Sequence, residues 1–257
     1  PRFGFKSRGL GDVYKRQGPK AGLADLASDL EGRLPGERRE AAAIRAAAVA
    51  EQHEAQRQAW RDRLEARRDL SPMSTERMMT ELAEALPGDA LFVDDSITTR
   101  ASVYGALDFD ESDDLVGISG GALGWGMGGA LGAKLARPDQ PVVAVIGDGS
   151  AMMTIQTLWT AAAQQIPVVY VICNNESYRI LKLNMNVWQT QIAGRPEPQT
   201  DYLGMDFAVP FDMAAIANAF GVRGHRIEDP SEVGPAITEA IAANEPVVLD
   251  VRVDGSI

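Results

Sequence analysis

The sequence is poor in the residues that build disulfide frameworks and zinc sites. Among 257 residues it has one cysteine, Cys173, and two histidines, His53 and His225. One cysteine excludes an intramolecular disulfide, and two histidines disfavour a zinc site. We expect a protein of the reducing cytoplasm.

Basic residues and long apolar runs are also scarce. The chain has 25 Lys and Arg against 36 Asp and Glu, for a net charge of -11. Nucleic-acid binding depends on clustered basic residues, so we expect no nucleic-acid partner. No stretch approaches the roughly 18 consecutive apolar residues of a membrane span. The N-terminus lacks the pattern of a signal peptide, and we expect no membrane partner.

The first residues do not read as natural protein. Residues 7–17, SRGLGDVYKRQ, resemble a translated sequencing adapter, and an ordinary basic loop is the alternative. We expect residues 1–17 to be an artefact and the native chain to continue upstream of Gly18.

Helical patterns follow in residues 18–70. Leu23, Leu26 and Leu30 have helical spacing and predict a short amphipathic helix over residues 21–34. Residues 37–69 are rich in Ala, Arg, Glu and Gln, which predicts a solvated connecting helix. An interaction helix is the alternative.

From about Ser71 to the end of the chain, short apolar runs alternate with amphipathic segments. The pattern predicts an α/β domain over residues 71–257: a doubly wound, mostly parallel six-stranded sheet with helices on both faces. Strands are predicted at 90–94, 115–118, 141–146, 167–173, 222–227 and 246–251. Helices are predicted from the cap Ser74 to Leu86 and at 99–107, 124–136, 152–165, 213–220 and 231–243.

Two loops of this domain carry candidate chemistry. Asp148 stands between glycines directly after one apolar strand, and Asn175 follows the next strand. The interval holds one helix and one strand, so both loops should meet at one edge of the sheet. Their oxygens suit Mg²⁺, which also takes oxygens from a diphosphate. An ordinary Asp-Gly turn is the alternative for residues 147–150.

The joint pattern of GDGS, a helix and a strand ending in Asn174-Asn175 is similar to the thiamine-diphosphate motif of the benzoylformate decarboxylase and acetolactate synthase family. The likeness runs from about Gly18 to the end, so that residues 18–70 correspond to the end of a middle domain and a helical linker. It implies that thiamine diphosphate is the cofactor and that Mg²⁺ is bound by Asp148, Asn175 and the carbonyl of Ser177.

The resemblance also implies cofactor contacts and a substrate pocket. Leu123 resembles the bulky residue that bends the cofactor, with core packing as the alternative. Asn184 stands where aryl-specific relatives carry an aromatic residue, which weakens an implied preference for benzoylformate itself. The implied cofactor contacts are Ile97, Thr98, Gly121, Leu123, Gly149, Ser150, Asn175 and Tyr178. The implied pocket is Ile180, Leu181 and Asn184, for which an apolar helix face is the alternative.

A second motif competes for the same region. Gly124, Gly126 and Gly129 spell G-x-G-x-x-G, and Asp148 follows the next strand, so a dinucleotide fingerprint is the alternative. Against it, these glycines do not directly follow a predicted strand.

The resemblance implies Mg²⁺-dependent decarboxylation of a small 2-oxo acid. The activating glutamate of this family lies in an N-terminal domain of a partner subunit, and no residue here matches it. We therefore expect no catalytic residue in this chain, no activity alone, and a homodimer or homotetramer with the site at the subunit interface. Alternatives are an acetolactate synthase-type carboligase, a non-catalytic thiamine-diphosphate-binding paralogue and a magnesium-nucleotide binder.

Overall fold

A computed structural model describes residues 19–109, 115–117, 121–197 and 199–257. Contacts between residues divide the chain into two compact units, 1–58 and 59–257. Residues 7–17, interpreted as adapter, lie outside the described residues, as does Ile118 at the end of the second predicted strand.

The first unit is helical where it is described. Helix α1 (Pro19–Arg33) covers all but the last residue of the predicted short helix, and α2 (Gly36–Ala66) begins in this unit. Leu23, Leu26 and Leu30 are all exposed. These helices therefore depend on good helix-forming residues rather than on a core of their own.

The second unit begins at Ala59, before the domain start predicted near Ser71. The last turns of α2 explain the difference, because they carry Trp60, which is buried. Its ring packs against α4 (Arg100–Ala106), where a Cβ on Gly105 would lie 2.3 Å from it. One tryptophan in a charged helix leaves no periodic apolar signal, so the sequence did not show this packing.

Six parallel strands form the sheet of the second unit, in the order β2-β1-β3-β4-β6-β5. Their bounds are β1 Leu91–Asp95, β2 Leu115–Gly117, β3 Val142–Gly147, β4 Val169–Asn174, β5 Arg223–Ile227 and β6 Val247–Arg252. The strands β1, β3, β4 and β6 are buried almost throughout, as strands with both faces covered must be. The predicted fold class is confirmed, and the sheet is wholly parallel.

Helices cover both faces of the sheet. On one face, α3 (Thr75–Ala85), α4 and α10 (Pro230–Ala243) pack through apolar side chains such as Met78 and Ile237. On the other, α5 (Trp125–Ala136), α7 (Thr157–Gln164) and α9 (Met213–Ala219) do the same. Ser74 caps α3 as predicted, since its side chain accepts a hydrogen bond from the Arg77 amide.

Two helical regions differ from the prediction. A single helix was predicted over 152–165, but α6 (Asp148–Met153) starts at Asp148 itself, with extended Gly147 as its cap, and α7 follows separately. After β4, α8 (Arg179–Val187) continues into a π-helical turn, Trp188–Ile192, where a helix was only the alternative. No helix in the described part of the chain is both long and apolar enough to cross a bilayer.

Candidate cofactor site

A cleft opens at the carboxyl ends of β1, β3 and β4. Ligands of doubly wound sheets bind at this edge, where the loops after the strands converge. The cleft is lined by Asp95, Ile97, Thr98, Leu123, Gly147, Asp148, Gly149, Ser150, Asn175, Ser177, Tyr178, Arg179 and Ile180.

Most residues expected at the site meet in this cleft, although they come from four separate segments. Three do not line it. Gly121 is exposed, with a φ of 72°. Leu181 and Asn184 are exposed on α8, and Ile180 is the one pocket residue that lines the cleft.

Asp148 joins the two loops that the sequence singled out. Its side chain is buried, and its Oδ1 accepts a hydrogen bond from the Gly149 amide at 2.7 Å. Its Oδ2 accepts from the amides of Asn175 at 3.0 Å and Glu176 at 2.7 Å. The carboxylate therefore fixes the end of β3 against the loop after β4.

The Asp148 carboxylate is poorly stabilised as an anion. Burial raises its pKa from 3.8 to about 7. The hydrogen bonds from the Gly149 and Asn175 amides oppose this rise in pKa. The charge of Asp250 adds to the rise, and the charge of Arg252 opposes it with the smallest effect of the four. A cation beside Asp148 would favour the charged carboxylate.

The loop after β4 presents further oxygens. Asn175 Oδ1 accepts hydrogen bonds from the Ser177 amide at 3.0 Å and hydroxyl at 3.2 Å. Between these residues, Glu176 has a φ of 56°, which turns the chain sharply. A bridge pairs Ser177 with Asp206, and its two hydrogen bonds are made by the backbone groups on either side of Ser177. The turn thus places the Asn175 amide and the Ser177 backbone in one compact loop.

Tyr178 packs directly on the glycine loop. A Cβ on Gly149 would lie 2.8 Å from the Tyr178 ring, so only glycine fits here without movement. The ring also packs edge-to-face on Phe207, with centroids 4.9 Å apart. Gly149 therefore allows the two loops to approach closely, beyond its role in a tight turn.

The last residue of β6 and the segment after it support the same loop from outside the cleft. Arg252 forms an ion pair with Glu176. A Cβ on Gly255 would lie 2.6 Å from the Asn175 carbonyl oxygen, and Arg179 donates to the Ser256 carbonyl at 2.8 Å. Sequence reasoning missed these contacts, because residues so far apart in the chain carry no local signal of their pairing.

The glycines of the competing dinucleotide fingerprint have other neighbours. A Cβ on Gly126 would lie 2.4 Å from Asp95 Cβ, and one on Gly129 would lie 2.5 Å from the Trp125 ring. These glycines let protein side chains approach α5, so they do not support the dinucleotide alternative.

Residues 97–251 match the family described as "Thiamine pyrophosphate enzyme, C-terminal TPP binding domain". The match covers more than half of the chain. It includes every residue that lines the cleft except Asp95.

Relatives of two activities are similar to this chain. Benzoylformate decarboxylase of Pseudomonas aeruginosa is 32% identical over 181 residues, which are 70% of this chain and 32% of that protein. Acetolactate synthase isozyme 3 large subunit of Escherichia coli is 34% identical over 175 residues, 66% of this chain and 29% of that protein.

Among solved structures, the thiamine diphosphate-dependent 4-hydroxybenzoylformate decarboxylase of Rhodococcus jostii RHA1 gives a TM-score of 0.65 at 30% identity, covering 72% of this chain and 33% of that one. The chain thus spans about a third of the length of these relatives. With the family match and the cleft at the expected edge of the sheet, the chain belongs to the thiamine pyrophosphate enzymes and carries their C-terminal TPP-binding domain.

Proposed function

We propose that this chain supplies the diphosphate- and Mg²⁺-binding side of the active site in an enzyme that decarboxylates a small 2-oxo acid. The observation that carries the proposal is the meeting of Asp148, Asn175 and Ser177 in one cleft at the ends of the adjacent strands β3 and β4. The names of the P. aeruginosa and R. jostii relatives favour an acid of the benzoylformate type.

The donor set fits Mg²⁺. Asp148 offers a carboxylate, Asn175 an amide oxygen and Ser177 a backbone carbonyl, all of them hard oxygen ligands. No group of three or more His, Cys, Asp or Glu side chains able to hold a metal occurs among the described residues. A Mg²⁺ ion held here by one carboxylate would therefore keep positions for diphosphate oxygens, which is how Mg²⁺ is commonly bound with phosphate ligands.

The rest of the cleft fits a diphosphate that carries an apolar ring system. The hydroxyls of Thr98 and Ser150 line the cleft and suit diphosphate oxygens. Leu123 and Ile97 line it too and are partly exposed, at 44% and 43%. Bound thiamine diphosphate supplies the electron sink for decarboxylation. The residues of this chain hold the diphosphate, orient the rings against Leu123 and exclude water through apolar side chains.

We further propose that another domain and a second copy of the protein complete the site, in a homodimer or homotetramer. Leu181 and Met185 on α8 and Trp188 at the start of the π-helical turn follow the cleft residue Ile180 at helical spacing, and they are 46%, 39% and 45% exposed. Their spacing makes one apolar stripe, and exposed apolar stripes of this kind mark interaction surfaces. The activating glutamate would come from that additional domain.

A carboligase of the acetolactate synthase type is the second candidate. Its support is the E. coli acetolactate synthase relative, which is as similar to this chain as the decarboxylase is. The two activities separate by product, because the full-length enzyme would release an aldehyde from its 2-oxo acid in one case, such as benzaldehyde from benzoylformate, and would form acetolactate from pyruvate in the other.

The proposed location is a reducing cytoplasm. Cys173 is free and buried. Burial raises the pKa of its thiol to about 12, so the thiol stays protonated and unreactive at neutral pH. The domain thus needs no oxidising compartment.

Calorimetry on this chain tests the proposed cofactor site. With Mg²⁺ present, the parent should bind thiamine diphosphate and not ATP, and Asp148→Ala should abolish binding. Asp139→Ala is the matched control, because Asp139 is exposed and precedes β3, at the end of the strand opposite Asp148. ATP binding that is lost in Asp148→Ala, with no response to thiamine diphosphate, would identify a magnesium-nucleotide binder instead.

A further inference from the structure

We propose that Asp95 is a positioning residue that fixes the ring loop, residues 121–126, and through it the side chain of Leu123. The inference rests on the proposed function, in which Leu123 contacts the cofactor rings. It gives a role in ring binding to a residue on β1, whereas in the proposed function the loops after β3 and β4 hold Mg²⁺, and Thr98 and Ser150 face the diphosphate.

One carboxylate oxygen holds the start of α5. Asp95 is the last residue of β1 and is 2% exposed. Its Oδ2 accepts hydrogen bonds from the amides of Gly124 at 2.9 Å and Gly126 at 3.0 Å. Gly124 directly follows Leu123 in the chain. Asp95 therefore fixes the backbone on the carboxyl side of Leu123, and a Cβ on Gly126 would displace this contact.

The same glycine is held from the opposite side. Gly124 has a φ of 88°, and its amide also donates to Ser150 Oγ at 3.1 Å. Its carbonyl accepts a hydrogen bond from Thr154 Oγ1 at 2.5 Å. A Cβ on Gly124 would lie 2.7 Å from Met153 Cβ. The ring loop is thus clamped between the end of β1 and the helix that begins at Asp148.

The charge of Asp95 is unfavourable for the fold alone. Burial raises its pKa, against the hydrogen bonds from Gly126, Ser150 and Gly124. Its neighbour Asp94 is equally buried but forms an ion pair with Arg100 at 2.8 Å. A neutral side chain at position 95 would avoid the desolvation of a carboxylate. The benefit of Asp95 therefore lies in the two amides that it holds.

Two ligands separate the ring side of the site from the diphosphate side. Mg²⁺-pyrophosphate probes only the diphosphate side, whereas Mg²⁺-thiamine diphosphate probes both. The parent chain should bind Mg²⁺-thiamine diphosphate more tightly than Mg²⁺-pyrophosphate. In Asp95→Leu, which has no acceptor, this advantage should fall about tenfold, so that thiamine diphosphate loses about tenfold more affinity than pyrophosphate does. Asp95→Asn keeps an acceptor oxygen and should retain most of the advantage. Asp139→Asn should match the parent.

Hydrogen exchange of the peptide backbone tests the positioning directly and needs no ligand. In Asp95→Leu the amides of Gly124 and Gly126 should exchange at least tenfold faster than in the parent, while exchange in β3 is unchanged. Unchanged exchange at these glycines would overturn the inference, as would an intact advantage of thiamine diphosphate. Equal losses for both ligands would also overturn it, because they indicate general disruption. A parent chain that binds neither ligand would refute the proposed function, and the inference with it.

Discussion

Replacing Asp148 by Asn should change how the stability of the ligand-free chain depends on pH. Asp148 is buried, and burial raises its pKa from 3.8 to about 7. Asn has nearly the same shape and no charge. It can accept fewer of the backbone hydrogen bonds made by Gly149, Asn175 and Glu176, which lowers stability by a constant amount of about 1–3 kcal/mol at every pH.

The pH-dependent part follows from proton linkage. Between pH 3.8 and about 7 the folded chain holds a proton on Asp148 that the unfolded chain has released. Stability therefore falls as pH rises through this window. The full change corresponds to roughly 4 kcal/mol, as an upper limit, because each pKa unit is worth about 1.4 kcal/mol. Asp95 and Asp250 also have raised pKa values and remain in the variant. The effect of Asp95 cancels in the difference, whereas Asp250, whose charge raises the pKa of Asp148, is coupled to it and cancels only in part.

Urea unfolding at pH 4.5 and pH 8, followed by tryptophan fluorescence, measures this difference. All four tryptophans, Trp60, Trp125, Trp159 and Trp188, lie in the second unit, so the signal reports on the unit that carries the site. Relative to the parent, Asp148→Asn should gain several kcal/mol between the two pH values. Asp139→Asn should gain nothing. Parallel pH profiles of the parent and Asp148→Asn would refute the reasoning about burial.

Two glycine substitutions test the close contacts. Gly105→Ala should lower the free energy of unfolding by about 1–3 kcal/mol, because its Cβ would lie 2.3 Å from the Trp60 ring; urea unfolding followed by fluorescence measures this. Gly149→Ala should weaken Mg²⁺-thiamine diphosphate at least tenfold in calorimetry, because its Cβ would push the Tyr178 ring out of place. Gly128→Ala in α5 has open space and should leave affinity unchanged and stability equal or higher. If Gly105→Ala leaves stability unchanged and Gly149→Ala leaves affinity unchanged, as in this control, the rings of Trp60 and Tyr178 move aside at little cost.

The strands and the main loops could be predicted because their signals are local. Apolar runs bounded by glycine and proline mark β3 and β4, and each strand lies within about two residues of its predicted position. The interval between Asp148 and Asn175 holds one crossover, which is enough to predict that both residues lie at one edge of the sheet, and the parallel pairing of β3 with β4 agrees.

The errors arose where tertiary packing decides. From Leu181 to Val187, apolar and polar residues alternate, which fits a strand as well as a helix, and on the helix that forms neither Leu181 nor Asn184 lines the cleft. The clamp of Asp95 on Gly124 joins residues that only the fold brings together. A carboxylate that accepts hydrogen bonds from backbone amides far along the chain leaves no signal in composition or periodicity.

The support that Arg252, Gly255 and Ser256 give to the loop after β4 bears on how this domain is handled in the laboratory. None of the three touches the cleft, so an inspection of the cleft lining would treat the end of the chain as free for a purification tag or for trimming. Their contacts with Glu176, Asn175 and Arg179 make that end a poor place for either. A cofactor-binding assay on a chain trimmed there would report on the trimming as much as on the site.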